Sequence, residues 1–266
     1  MMKVWFILVL ALVAVKASYI PYPMAVPPVN ISESLEKQTR IVNGNFAVLG
    51  QFPYFAQIFL TVDGFNSLCG GSIISNRWIL TAAHCADGVS RFQIFVGSVE
   101  ITKGTQYFFQ EKYIHPNYNM YLNYDIALIR VNSTIIFTDY VKPITLPSIG
   151  ELNQYEGYKP LIMGFGKLGD NQATSSRLKY AEVSVISNSQ CEKSFGPAVI
   201  IPSTMCTVGL AGQNTCNGDS GGPVVYNNVQ IGVISFVHSA GCQSGNPFGH
   251  VRVASLRQWI LDVTGI

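Results

Sequence analysis

From residue 52 to its end the chain is a succession of short apolar segments cut by turn residues. Segments 54–62, 71–75, 78–82, 93–96, 106–114, 126–131, 160–164, 179–186, 224–226 and 230–236 are rich in Val, Ile, Phe and Tyr, and Gly, Asn, Asp or Pro bounds each one. β-Branched and aromatic side chains suit a pleated, half-buried surface, and the bounding residues suit tight turns, so these segments read as strands. Only the last stretch, 253–263, has helical spacing, with Leu256, Trp259, Ile260 and Val263 on one face. Many short strands and one terminal helix predict an all-β domain, folded as closed barrels. With 266 residues, 48% of them hydrophobic, the chain can bury a large core. Only 12% are charged, about half the usual share, which excludes a disordered or highly charged chain and argues against nucleic-acid binding.

The first residues point to secretion. A short basic start, Met1-Met2-Lys3, precedes an unbroken apolar run of 12 residues at 4–15, and Lys16-Ala17-Ser18 follows with small residues for cleavage after Ala17. Residues 1–17 therefore read as a signal peptide. The run is too short to span a bilayer, so no membrane partner is expected. Six cysteines in a secreted chain suggest three disulfides, with 15 possible connectivities. Residues 18–40 hold Pro21, Pro23, Pro27 and Pro28 and a polar tail, without a strand or helix period, and read as an extended propeptide. Arg40 precedes Ile41-Val42-Asn43-Gly44. Removing residues 1–40 takes away four Lys/Arg and two Asp/Glu, which leaves 13 of each sign. No long-range steering of a charged partner is expected.

Residues 216–223 run Cys-Asn-Gly-Asp-Ser-Gly-Gly-Pro. A serine between an acid and two glycines, just after a cysteine, reads as a tight turn tied by a disulfide. Glycine lets the backbone approach a ligand closely. Acyl transfer requires a hydroxyl beside two converging amide donors, one group to attack and the others to hold the oxyanion. Two further motifs lie upstream. Leu80-Thr81-Ala82-Ala83-His84-Cys85 ends an apolar strand on a histidine, and Asn123-Tyr124-Asp125-Ile126-Ala127-Leu128 opens one on an aspartate. Taken singly, His84 suits a core histidine and Asp125 a turn; together with Ser220, in this order, they suit nucleophilic catalysis.

The segments 40–44, 81–85, 125–128 and 218–223 resemble the chymotrypsin/trypsin family of serine endopeptidases, and the likeness spans residues 41–266 in order and spacing. It implies a double six-stranded antiparallel β-barrel with a C-terminal helix and an active site between the barrels. It implies Ser220 as nucleophile, His84 as general base and acid, Asp125 as the group that orients His84, and the Gly218 and Ser220 amides as the oxyanion hole. Cutting after Arg40, by a trypsin-like activating protease, frees an Ile41 ammonium that pairs with buried Asp219. Ser235 backs Asp125, and the segment with Phe236 and Val237 binds substrate as an added strand. The family usually has tryptophan where Phe236 stands. The likeness pairs Cys69 with Cys85, Cys191 with Cys206, and Cys216 with Cys242.

The base of the specificity pocket corresponds to Asn214, which lacks the charge needed to hold Arg or Lys. The walls correspond to Val237 and Phe248, both bulky, which favours small aliphatic side chains. A register one residue along would make Gly249 the wall and return an open, chymotrypsin-like pocket. The segment 235–253 resembles insect gut proteases, which suits a digestive role. Expected partners are protein and peptide substrates, the activating protease and protein inhibitors, with the chain a monomer. No metal or cofactor is expected: His115, His238 and His250 lack ligand spacing, and Glu100 is alone in the 97–104 loop. Asn30 and Asn132 head glycosylation acceptor sequences. The alternative class is a catalytically silent relative acting as a binding module, which the complete His84, Asp125 and Ser220 set disfavours.

Overall fold

A computed structural model of the chain describes residues 44–62, 65–210 and 212–266, with the backbone alone at Val62 and Phe65. The expected signal peptide, propeptide, Arg40 and Ile41 lie outside the described residues.

The short two-residue strand β1 (Asn45–Phe46) precedes two six-stranded antiparallel barrels. The first is built from β2 (Phe55–Val62), β3 (Phe65–Ile73), β4 (Trp78–Thr81), β5 (Arg91–Val96), β6 (Thr105–Ile114) and β7 (Ala127–Val131). They close in the order β2-β3-β4-β7-β6-β5. On β5 the period of two is clear: Phe92, Ile94 and Val96 point inward, while Arg91 is exposed. The second barrel is built from β8 (Leu161–Gly164), β9 (Lys179–Ile186), β10 (Thr204–Gly209), β11 (Pro223–Tyr226), β12 (Val229–Phe236) and β13 (Phe248–Arg252). They run β9-β10-β13-β12-β11-β8, and β8 pairs again with β9 to close the ring. Ile162, Ala181, Val183, Val185, Met205 and Val224 fill part of its interior. Strand β1 pairs with the first residues of β9, with Asn45 opposite Tyr180.

The barrels meet at a pair of glycines. A Cβ on Gly70 would lie 2.8 Å from the Gly222 Cα, so a side chain there would force the barrels apart.

Helical structure differs from expectation in two ways. The terminal segment divides into a 3₁₀ turn (Val253–Leu256) and the helix α2 (Arg257–Thr264), which ends at Gly265 in the left-handed region. It is also not the sole helix, because α1 (Asn188–Phe195) precedes β10. Helix α1 buries just Cys191, so it has almost no apolar stripe for periodicity to detect. Its sequence signal is the capping box, in which the Ser187 side chain accepts from the Gln190 amide and the Gln190 side chain accepts from the Ser187 amide.

Strands β10 and β13 were not expected either. Every residue of β13 is buried, including His250 and Arg252. Their polar identity hides the strand in the sequence. The Arg252 guanidinium donates to the Gln154 and Thr204 carbonyls, and His250 Nε2 meets Thr207 Oγ1 at 2.7 Å.

Candidate active site

His84 lies just beyond β4, on a loop fixed from three sides. The Ala86 and Asp87 amides both donate to the Ala83 carbonyl. The Lys112 ammonium, reaching from β6, donates to the Ala86 and Val89 carbonyls at 2.8 and 2.7 Å. Cys85 is bonded to Cys69 of β3. The half-buried imidazole, 28% exposed, presents Nδ1 to Asp125 Oδ2 at 2.7 Å.

Asp125 precedes β7 and is fully buried, at 0% exposure. An isolated buried carboxylate is costly, and this one is held by three donors. Oδ1 accepts the His84 amide at 2.8 Å, and Oδ2 is shared by His84 Nδ1 and by Ser235 Oγ at 2.5 Å. The approach to Asp125 is strained. Leu122 and Tyr124 have φ of +58° and +55°, a region that bulky residues rarely enter. Tyr124 stacks on His115 at 5.0 Å with the rings 9° from parallel, and His115 packs against Trp259 of α2 at 5.0 Å. The terminal helix therefore steadies the loop that delivers Asp125. Burial pushes the His115 pKa down, which favours the neutral ring in this stack.

Ser220 sits on a turn between the Cys216–Cys242 disulfide and β11. Within it Asp219 N donates to Cys216 O and Gly222 N to Asp219 O, both at 3.0 Å, and Gly221 N donates to Ile234 O at 2.7 Å. Gly218 has φ of +100°, which glycine adopts without strain. Among the described residues the Gly218 and Ser220 amides have no acceptor, so both can donate to a ligand. The turn is coupled directly to the histidine loop. Gly70 N donates to Ser220 O at 2.7 Å, Thr81 Oγ1 donates to Gly70 O at 2.8 Å, and Gly70 follows Cys69 of the disulfide that holds Cys85.

Asp219 points away from this surface into a cradle formed by two further glycines. Oδ1 accepts Gly166 N at 2.7 Å and Oδ2 accepts Cys216 N at 2.9 Å. A Cβ on Gly166 would lie 2.5 Å from the Asp219 Cγ. Burial is the largest influence on this carboxyl and raises its pKa to about 6, against the pull of the two amides.

The other sequence-derived residues gather at the end of the second barrel. Asn214 is buried and donates from Nδ2 to Cys242 O at 2.8 Å, while its Oδ1 has no partner. A Cβ on Gly209 would lie 2.0 Å from that oxygen. Thr207 is opposite Phe248 in the β10–β13 ladder. Gly209, Thr207, Phe248 and His250 thus share one face by the period of two, with the Asn214 carboxamide against it. Phe248 is 1% exposed. Gly249 faces the opposite way, and a Cβ there would lie 1.9 Å from the Phe236 ring. Phe236 packs edge-on against Phe195 of α1 at 5.0 Å, beside the Cys191–Cys206 disulfide. Val237 follows β12 and is half-buried.

Sequence reasoning did not find Lys112, Thr81, Tyr124, Gly166 or Trp259 as supports of the site. The Gly164-Phe165-Gly166 pattern after β8 was a visible sign of close backbone approach. The left-handed Tyr124 left no such sign.

The family model described as Trypsin matches residues 41–260. The chain is 38% identical over 268 residues to a protein named Collagenase from Hypoderma lineatum, covering 98% of each chain. It is 37% identical over 225 residues to Chymotrypsin-2 from Vespa crabro, covering 83% of this chain and 98% of that one. Among solved structures, HL collagenase superposes with a TM-score of 0.80 at 39% identity, over 84% of this chain and 98% of that one.

Proposed function

The chain belongs to the trypsin family of serine proteases, and from that premise we propose how its residues divide the work. Residues 1–17 direct secretion, residues 18–40 form a propeptide, and residues 41–266 are the protease. A trypsin-like enzyme cuts after Arg40. The new Ile41 ammonium then enters the Asp219 cradle, where a carboxylate with two amide donors has room in its charge balance for a cation. A switch of this kind turns one cleavage into a local rearrangement of the Gly218 turn.

In the cut enzyme, Ser220 Oγ attacks the scissile carbonyl while His84 Nε2 takes its proton. The C–N bond breaks as His84 returns that proton to the leaving amine. Water, deprotonated by His84, then releases the acyl group and restores Ser220. Asp125 keeps Nδ1 protonated and stabilises the imidazolium. The Gly218 and Ser220 amides receive the oxyanion; one such donor is typically worth about 100- to 1,000-fold in rate. The observation that carries this reading is the fully buried Asp125 carboxylate bound to His84 through both oxygens.

Substrate choice follows from Phe248 and Val237. With Phe248 beside the neutral Asn214, the pocket suits Ala, Val or Leu before the scissile bond. A chymotrypsin-like preference for Phe, Tyr or Leu is the second reading, favoured by the likeness to Chymotrypsin-2. Protein substrates, the activating protease and protein inhibitors are the partners, and the enzyme acts as a secreted monomer without cofactor or metal. A digestive role fits the insect relatives.

The test is to cut the Arg40–Ile41 bond with trypsin and treat the product with a serine-directed covalent inhibitor. Labelling at Ser220 in the cut chain, and its loss in Ser220→Ala, is the expected result. A folded, correctly cut chain that resists labelling would overturn the enzymatic reading. A peptide library varied before the scissile bond then separates the two specificity readings.

A further inference from the structure

A second concave site lies outside the catalytic cleft. Its volume is about 940 Å³, and its lining includes Gln51, Phe52, Tyr54, Tyr158 and Tyr226. It shares no residue with the cleft, but β11 runs from the Ser220 turn to it. The four strand residues Pro223–Tyr226 lead away from the Ser220 turn over roughly 10 Å at strand rise.

Tyr54 is the unusual member of this lining. It is only 6% exposed, yet its hydroxyl has no hydrogen-bond partner among the described residues. The ring is buried while the hydroxyl stays open to solvent in the groove, where it can donate to a ligand. Burial pushes its pKa upward, so the group stays a protonated donor. Gln51 adds a second donor, because its carboxamide oxygen is occupied by Val48 N and its NH₂ remains available. The rings pack edge-on and do not form a flat platform. Tyr158 and Tyr226 lie 4.9 Å apart at 87°, and Tyr155 packs against Tyr158 at 5.6 Å and 78°. Edge-to-face rings present a stepped surface, which offers a narrow extended chain ridges to lie against and gives a flat ring no platform to stack on.

We infer that this groove is an exosite for an extended, proline-rich segment of the protein substrate, recognised through its rings and its backbone carbonyls. A polyproline II segment has no internal hydrogen bonds, and its prolines have no N–H. Its prolines therefore offer carbonyl acceptors without N–H donors, to a groove that sets the Tyr54 and Gln51 donors beside the side chains of Glu156, Lys159 and Glu182. Aromatic-lined grooves with hydroxyl or amide donors are a general solution for binding such chains. This inference rests on the proposed action on protein substrates and names a class among them.

The binding test does not depend on catalysis. Decaproline is titrated into the purified chain, inhibited at its serine where cut, with tyrosine fluorescence as the readout. Saturable binding is expected, weakened about five- to tenfold by Tyr54→Phe, which removes a single hydrogen bond. Tyr158→Ala, at an exposed ring, should weaken it further. The Tyr54→Phe chain should melt at the same temperature as wild type or higher, because the lost hydroxyl has no partner in the fold. In the active enzyme both variants should keep wild-type kcat/KM on a tetrapeptide substrate and raise KM on a long substrate with a proline-rich segment. Absent saturable decaproline binding, or binding indifferent to both variants, overturns the inference. Binding of a soluble oligosaccharide in its place, abolished by Tyr158→Ala, also overturns it and assigns the groove to sugars. Failure of the tetrapeptide assay alone would count against the proposed catalysis and leave the binding result to judge the groove.

Discussion

Asp219→Asn separates the switch from the fold. The replacement keeps the shape and removes the charge from a wholly buried site. Before cleavage two effects oppose each other. Raising the carboxyl from 3.8 to about 6 corresponds to about 3 kcal/mol of disfavoured ionisation. A carboxyl raised on folding stabilises the fold fully below about pH 4, and that contribution is lost as pH rises through about 6. At pH 8 the asparagine escapes this cost. It also turns one oxygen into an NH₂ that faces the amide of Gly166 or Cys216, 2.7 or 2.9 Å from the present carboxylate. That loses a hydrogen bond and sets donor against donor, about 1–3 kcal/mol. The uncut variant should therefore unfold within about 2 kcal/mol of wild type in urea. In the proposed switch the balance changes after cleavage, because the Ile41 ammonium would meet a neutral partner. Breaking a buried pair costs about 3–5 kcal/mol, so kcat/KM on a short peptide should fall on the order of 100- to 1,000-fold, at about 1.4 kcal/mol per tenfold. Trypsin-cut wild type and variant are compared by active-site titration and initial rates. A cut variant within threefold of wild type refutes Asp219 as the partner of Ile41. An uncut variant that has already lost its stability refutes the switch and makes Asp219 a residue of the fold.

Ser235→Ala removes one of three donors to the Asp125 carboxylate; a hydrogen bond to a charged group is worth about 1.5–3 kcal/mol, so kcat should fall about 10- to 100-fold with little change in KM, read from steady-state kinetics. Phe248→Ala should shift preference before the scissile bond toward Phe and Tyr in a peptide library, and lower unfolding stability by about 3–5 kcal/mol as a buried ring is lost; an unchanged profile would show that Phe248 does not limit the pocket. His250 is fully buried with its pKa lowered to about 3 by desolvation. A histidine lowered on folding stabilises the fold above about pH 6.5 and loses that contribution as pH falls, by up to about 1.4 kcal/mol per pH unit. His250→Phe should flatten the acid limb of stability between about pH 6 and 4 in urea titrations, and an unchanged slope would sink this account.

Much of the molecule could be read from local patterns. Alternation marks β5 and β9, and turn residues bound β2 and β7. The Ser187/Gln190 capping box marks α1, although the absence of an apolar stripe hid that helix. Strand β13 could not be read, because His250 and Arg252 look like surface residues until the barrel closes around them and supplies their partners. The left-handed Tyr124 was likewise hidden: its strain is sustained by the stack on His115 and Trp259, 135 residues further on.

By itself the sequence determined the all-β class, the short order of strands and the three motifs around His84, Asp125 and Ser220. These depend on side-chain period, turn chemistry and residue type, all properties of neighbours in the chain. Tertiary structure alone decided that the Ser220 turn couples to the His84 loop, through the Gly70 amide, the Cys69–Cys85 bond and the contact of Gly70 with Gly222. It also decided that Phe248 faces the barrel interior and Gly249 the Phe236 ring. A slip of one residue reverses every side chain of a strand, and only pairing with β10 and β12 determines that register.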